Sequence, residues 1–151
     1  MPKFSRLLRG AILGLCLLAT ACGALVPPES CGPGAEGAAD EARFAQLFRS
    51  MELVSATTGL PGEPDEEGTP RFTAGDELQI VTDNLGALGI RACVQERRRA
   101  GTIAGEREGS LPAGRALIPL GSFEEGDYVV RVLVERVLVR NLPFSVEESS
   151  N

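Results

Sequence analysis

The chain has 151 residues, a formal net charge of −6 at neutral pH, four cysteines, one tyrosine, and neither histidine nor tryptophan. So acidic a composition argues against nucleic acid or anionic lipid as a general partner. The lack of histidine excludes Ser-His and Cys-His nucleophile arrangements and every His-containing zinc site.

The N-terminal stretch decides where the remainder operates. Lys3, Arg6 and Arg9 precede the uncharged apolar run Ala11 to Leu18, and the small residues Ala19-Thr20-Ala21 stand directly before Cys22. Positive, then apolar, then small is the order of an export signal. Ala19-Thr20-Ala21 fits an ordinary A-x-A cleavage site. Leu18-Ala19-Thr20-Ala21-Cys22 resembles a bacterial lipobox, with its leucine one place further from the cysteine than usual. Both readings assign residues 1–21 to the signal. An uncleaved anchor is the third reading, because Gly10 to Val26 carries no charge and reaches the lower edge of what spans a bilayer. Gly14, Gly23 and the A-x-A site oppose a stable span.

Cysteine arithmetic favours the lipobox. Cys16 leaves with the signal, and an odd count in an oxidising compartment strands one thiol. Lipidation of Cys22 with palmitate-type acyl chains removes that oddity and leaves Cys31 and Cys93 as a disulfide pair. Gly23, directly after the lipidated position, is not the aspartate that resembles an inner-membrane retention signal, which points to the outer membrane of a two-membrane bacterium. Losing the signal takes the net charge three units further negative. Residues 22–151 suffice for one domain with a tail and are too few for two cores.

Residues 22–40 are rich in Gly, Ala and Pro and read as a tether, pinned distally if Cys31 bonds Cys93. Asp40 is an N-cap candidate for one or two helical turns through Gln46, or else that segment leads into a strand. Leu47 to Ala56 is loosely two-periodic and predicts a first strand. Thr57 to Pro70 is dense in Gly and Pro, and the pattern predicts no regular element there. Leu78, Ile80 and Thr82 share one strand face, after which Asp83-Asn84-Leu85-Gly86 interrupts. Ile90, Ala92 and Val94 share a face of the next run, with Arg91, Cys93 and Gln95 opposite. Arg97 to Gly109 reads as polar loop with at most a brief strand at Thr102 to Ala104. Leu117 to Leu120 is a short strand, followed by a turn over Gly121 to Gly126.

The clearest pair comes last. Tyr128, Val130, Val132 and Val134 line one face, with Val129, Arg131, Leu133 and Glu135 opposite; Arg136 lies at the reversal and Val137-Leu138-Val139-Arg140 begins the return. Pro143 cannot donate to a ladder and predicts a bulge or an edge before Phe144-Ser145-Val146. Short strands at this spacing, separated by turns, predict an all-β fold, a single antiparallel β-sandwich over residues 41–147 with a C-terminal tail at 148–151.

The runs Arg71 to Leu78, Glu125 to Val132 and Leu138 to Val146 resemble the immunoglobulin-like (Ig/FN3-like) accessory domains of bacterial secreted proteins and lipoproteins. The resemblance covers Leu47 to Val146 and implies a binding or assembly module and no catalyst. It departs from the family where an aromatic residue usually fills the core of the third strand; Cys93 and its neighbours occupy that region. A thinner core, more dependent on its disulfide, is the expectation.

No catalytic residue, metal ligand or cofactor is assigned. Arg97, Arg98 and Arg99, with Arg91 and Arg107, are the candidate anion or partner contact, because guanidinium groups fork onto phosphate or carboxylate oxygens. The plainer reading is a solvated hairpin tip balanced by Glu96, Glu106 and Glu108. Glu63, Asp65, Glu66 and Glu67 read as an acidic loop before they read as a calcium site, and Tyr128 as a core or corner tyrosine before a sugar platform. Carboxylates such as Asp76, Glu77 and Asp83 are the candidates if the chain served an enzyme or transporter. The expected role is a lipid-anchored, non-catalytic binding or assembly module for another envelope protein. A carbohydrate-binding module, or an accessory subunit of an envelope enzyme or transporter, is the alternative. A small-molecule ligand is not expected.

Overall fold

Asp40 opens the first regular element as its sequence anticipates. In a computed structural model describing residues 31, 32, 34–98 and 102–149, its carboxylate accepts from the Arg43 amide at 2.8 Å and caps helix α1, Glu41–Leu47. The chain then runs through nine strands: β1 Phe48–Ser55, β2 Glu63–Pro64, β3 Pro70–Thr73, β4 Leu78–Asn84, β5 Leu88–Glu96, β6 Ile103–Leu111, β7 Gly114–Gly121, β8 Gly126–Val134 and β9 Val137–Glu147. A three-stranded sheet in the order β1-β4-β7 packs on a six-stranded sheet in the order β2-β3-β9-β8-β5-β6. The protein is an all-β sandwich. The signal segment, Cys22, residues 22–30 of the predicted tether, Arg99 and the last two residues of the tail lie outside the described residues.

Alternation places the core between the sheets. Leu78, Ile80 and Thr82 point inward from β4; Ala116, Ile118 and Leu120 from β7; Ile90, Ala92 and Val94 from β5; and Tyr128, Val130, Val132 and Val134 from β8. Each fully buried aliphatic side chain contributes roughly 1.5–3 kcal/mol. Aromatic bulk comes from the later strands and not from β5. Phe144 stacks on Tyr128 with ring centres 5.2 Å apart and meets Phe123 and Phe72 edge-on. Cys93 faces away from this core, on the outer side of the six-stranded sheet. The missing third-strand aromatic is therefore made good by β8, β9 and the turn before them.

Several elements depart from the sequence pattern. The pattern assigns Phe48 and Met51 to opposite faces, yet both are buried, because a bulge between Phe48 and Ser50 shifts the register against β4. The Gly/Pro-dense loop does hold a regular element, since Glu63–Pro64 pairs with Pro70–Arg71. The predicted interruption at Asp83-Asn84 is absent: β4 continues through both, and buried Asn84 donates from Nδ2 to the Pro112 carbonyl at 2.9 Å. Arg97 to Gly109 is not mostly loop, because the edge strand β6 runs from Ile103 to Leu111. An edge strand exposed on most positions has no apolar alternation to reveal it. Pro143 makes no bulge; the shift in the last hairpin falls between Val132 and Leu133. Pro143 faces Val129, and β3 joins β9 only from Ser145 onward, so no ladder needs its missing N–H on that side. The sheets are not wholly antiparallel either, since β3 and β9 run parallel.

Candidate functional site

The outer face of the six-stranded sheet is crossed by a strap. Cys31 is bonded to Cys93 in mid-β5 with Cα atoms 5.8 Å apart, and both cysteines are fully buried with Ala35 and Leu133. From there the chain passes over β8 to β9, where the Asp40 amide donates to the Leu138 carbonyl at 2.8 Å. A Cβ on Gly34, which has φ +85°, would collide with the Arg136 carbonyl oxygen, so only glycine lets the strap lie this close. A polar ladder fastens it further. Arg131 donates to Gln95 Oε1 and Asn141 Oδ1, and Asn141 Nδ2 donates to the Gly37 carbonyl at 3.2 Å. From Cys31 onward the predicted tether is thus part of the folded unit.

Beside the strap lies an open cleft of about 750 Å³ lined by Gly89, Arg91, Glu108, Ser110, Leu133 and Arg136, among others. Arg91 is hydrogen-bonded to Glu106, which raises its pKa; burial opposes that shift, and the charges of Glu106 and Glu108 add to it. Glu135 at the hairpin tip pairs with Arg43 at 2.8 Å.

The structure separates the arginines that are close in sequence. Arg91 lies near the start of β5 on the outer face, whereas Arg97 and Arg98 follow its far end. Arg98 Nε pairs with Asp127 Oδ2 at 2.8 Å, and the Arg97 amide donates to the Asp127 carbonyl. The counter-charge of Arg98 is therefore Asp127, not Glu106 or Glu108. Arg107 reaches the other way, toward the rim of the sandwich, where Nε and Nη2 donate to the Pro119 and Leu120 carbonyls of β7 and Nη1 donates to the Glu106 carbonyl. No periodicity in the sequence announces that staple.

Asp65 spends Oδ1 on the Glu67 and Thr69 amides, each at 2.8 Å, which makes it a loop-forming residue. Among the described residues, no group of three or more His, Cys, Asp or Glu side chains is placed to hold a metal ion. Asp76 likewise accepts from the Thr73 amide, and Asp83 pairs with Arg49. Tyr128 is buried, and its hydroxyl donates to the Glu124 carbonyl four residues upstream at 3.0 Å. Its pKa is raised by burial and then by Glu96 and Glu124. Phe48, Phe72 and Phe144 are buried, and Phe44 and Phe123 pack against the same core. Among the described residues, no helix is long and apolar enough to cross a membrane.

No protein-family model matches the chain, and no curated protein matches it in sequence. Solved structures match it at low identity. A candidate lipoprotein from Bacillus anthracis is 9% identical over 77% of this chain and 96% of that chain, with a TM-score of 0.39. A β-glucosidase from Listeria innocua is 14% identical over 64% of this chain and 16% of its own, at 0.35. The β-D-glucoside glucohydrolase of Trichoderma reesei is 12% identical over 66% of this chain and 18% of its own, at 0.33. This chain therefore spans only a small part of either glycosidase, and at these scores the likenesses assign neither family nor activity.

Proposed function

We propose that the chain is a lipid-anchored component of a bacterial cell envelope, held at the outer membrane through Cys22, whose sandwich binds or scaffolds another envelope protein without catalysing a reaction. The observation that carries this reading is the buried Cys31–Cys93 bridge. Structural disulfides form and persist in oxidising compartments, and this one starts a few residues after the lipobox-like cysteine. Two signals of independent origin, one in the leader and one in the fold, then agree on export. The packing of the described aromatic rings in or against the core supports a protein partner over a sugar, since carbohydrate platforms present exposed rings.

Growth with an alkyne fatty acid followed by click labelling tests the anchor. Wild type should carry label, fractionate with membranes and yield an acylated N-terminal peptide, whereas Cys22→Ala should be unlabelled. Equal labelling of the two would rule out the anchor. Crosslinking of intact envelopes should then capture a stoichiometric protein; retention of glycan alone would overturn the protein-binding reading.

A further inference from the structure

The edges of the two sheets are not equally protected. The Arg107 guanidinium occupies the Pro119 and Leu120 carbonyls of β7. The edge of β1 carries a bulge at one end, and at the other Val54 bridges to Pro61 and the Ser55 amide donates to the Leu60 carbonyl. The edge strand β2 is two residues long and contains Pro64. Such devices keep sheet edges from templating unwanted pairing. The remaining edge, β6, is long and free of proline, and its ladder to β5 is regular from Gly105 to Leu111. In the middle of this strand the Arg107 guanidinium also donates from Nη1 to the Glu106 carbonyl at 2.7 Å.

We propose that β6 accepts a basic, extended segment of a partner protein as an added antiparallel strand. The backbone of β6 supplies the hydrogen bonds common to strand-addition sites, and its side chains choose the occupant. Residues paired across the ladder share a face, so Glu106 and Glu108, opposite Cys93 and Arg91, point to the outer side, while Gly105, Arg107 and Gly109 point toward the rim of the core. Arg91 is hydrogen-bonded to Glu106 and also feels the charge of Glu108, so one cation faces two carboxylates and the row beside the cleft stays net acidic. Lysine or arginine at alternate positions of the incoming strand would lie against this acidic row.

The inner positions favour apolar side chains. A Cβ on Gly109 would meet nothing within 4 Å, and one on Gly105 would lie 3.7 Å from the Phe123 ring, so the strand can lean over an aromatic floor. A second copy of the chain is the wrong occupant. In a two-fold β6–β6 pairing centred anywhere from Gly105 to Gly109, with the outer faces on one side, Glu106 or Glu108 of one copy falls opposite or next to a glutamate of the other, and like charges across a ladder repel. The acidic row therefore blocks self-assembly while it selects a basic strand.

This inference rests on the protein-binding reading above, and the two can fail separately. The probe is a blocked peptide, (Lys-Val)₄, added to the full-length chain purified from membranes in neutral detergent, with hydrogen exchange resolved by residue and affinity read by fluorescence anisotropy. The expected result is protection of amides within Ala104–Ser110 and at least tenfold weaker binding of (Glu-Val)₄. Glu108→Lys should narrow or invert that preference. Methylating alternate peptide nitrogens should weaken binding at least tenfold without altering charge, and this arm needs no protein variant that must fold. Equal binding of the methylated peptide, or protection of β1 instead of β6, would overturn the proposal. Protection of β6 with no crosslinked partner in envelopes would sink the assembly role and spare the edge; a crosslinked partner with β6 unprotected would do the reverse.

Discussion

Cutting the Cys31–Cys93 bridge should destabilise the domain as a whole and not merely free the strap. The bridge joins residues separated by 62 positions. Closing a loop of that length removes denatured-state entropy worth about 4 kcal/mol at 25 °C in the chain-entropy model. Domains of this size hold only about 5–15 kcal/mol in total, so the loss is a large fraction of the whole. The variant is Cys31→Ala/Cys93→Ala, which leaves neither bridge cysteine behind as an unpaired thiol, and the assay is thermal melting by circular dichroism with native-state hydrogen exchange. The melting temperature should fall by roughly 15–25 °C. The Ala35 and Asp40 amides, bonded to the Gly32 and Leu138 carbonyls, should lose protection before the β8 and β9 ladder does. A melting temperature within a few degrees of wild type would refute the reasoning, because it would mean that packing alone holds Cys31 against β5.

Three further outcomes follow from local geometry. Glu135 and Arg136 occupy positive φ at 52° and 66° in the two-residue turn between β8 and β9, so Glu135→Asn/Arg136→Gly should stabilise by about 1 kcal/mol in urea melts even after losing the exposed Arg43–Glu135 pair. Phe144→Ala removes a fully buried ring contacted by Phe72, Phe123 and Tyr128 and should cost about 3–5 kcal/mol; a loss below 1 kcal/mol would mean that the aromatic cluster relaxes freely. Tyr128 is held neutral by burial and by Glu96 and Glu124. Its folded pKa lies above the unfolded one, so its contribution is intact below about pH 10 and is lost as pH rises beyond that. Denaturant midpoints measured from pH 8 to 11 should fall more steeply in wild type than in Tyr128→Phe.

The strands with one buried face were legible residue by residue. Leu78-Ile80-Thr82, Ile90-Ala92-Val94 and Tyr128-Val130-Val132-Val134 point where alternation places them, because a period of two combined with one dry face leaves a single register. The Cys31–Cys93 pairing was the expectation from parity once Cys16 and Cys22 were set aside, and these two cysteines are bonded. Strand β6 was not legible, since an edge exposed on its outer side can consist of Gly, Glu and Arg and still complete a ladder. Its hydrogen bonds come from the backbone, which composition does not report.

For the candidate site the division is sharper. The tyrosine, its hydroxyl partner and the acidic loop follow from local chemistry within a few residues of chain. The separation of Arg91 from Arg98, the Arg107 staple and the strap over β5 arise from contacts between segments far apart in sequence. By itself the sequence determined the alternating strands and most of their turns, and carried the expectation of an export signal and a cysteine pair, all of which depend on neighbours along the chain. Tertiary structure alone decided what covers Cys93 on its outward side, the course of the strap, and which sheet edges are guarded. Those depend on which strands become neighbours across the sandwich, and that choice is made by packing two sheets into one core.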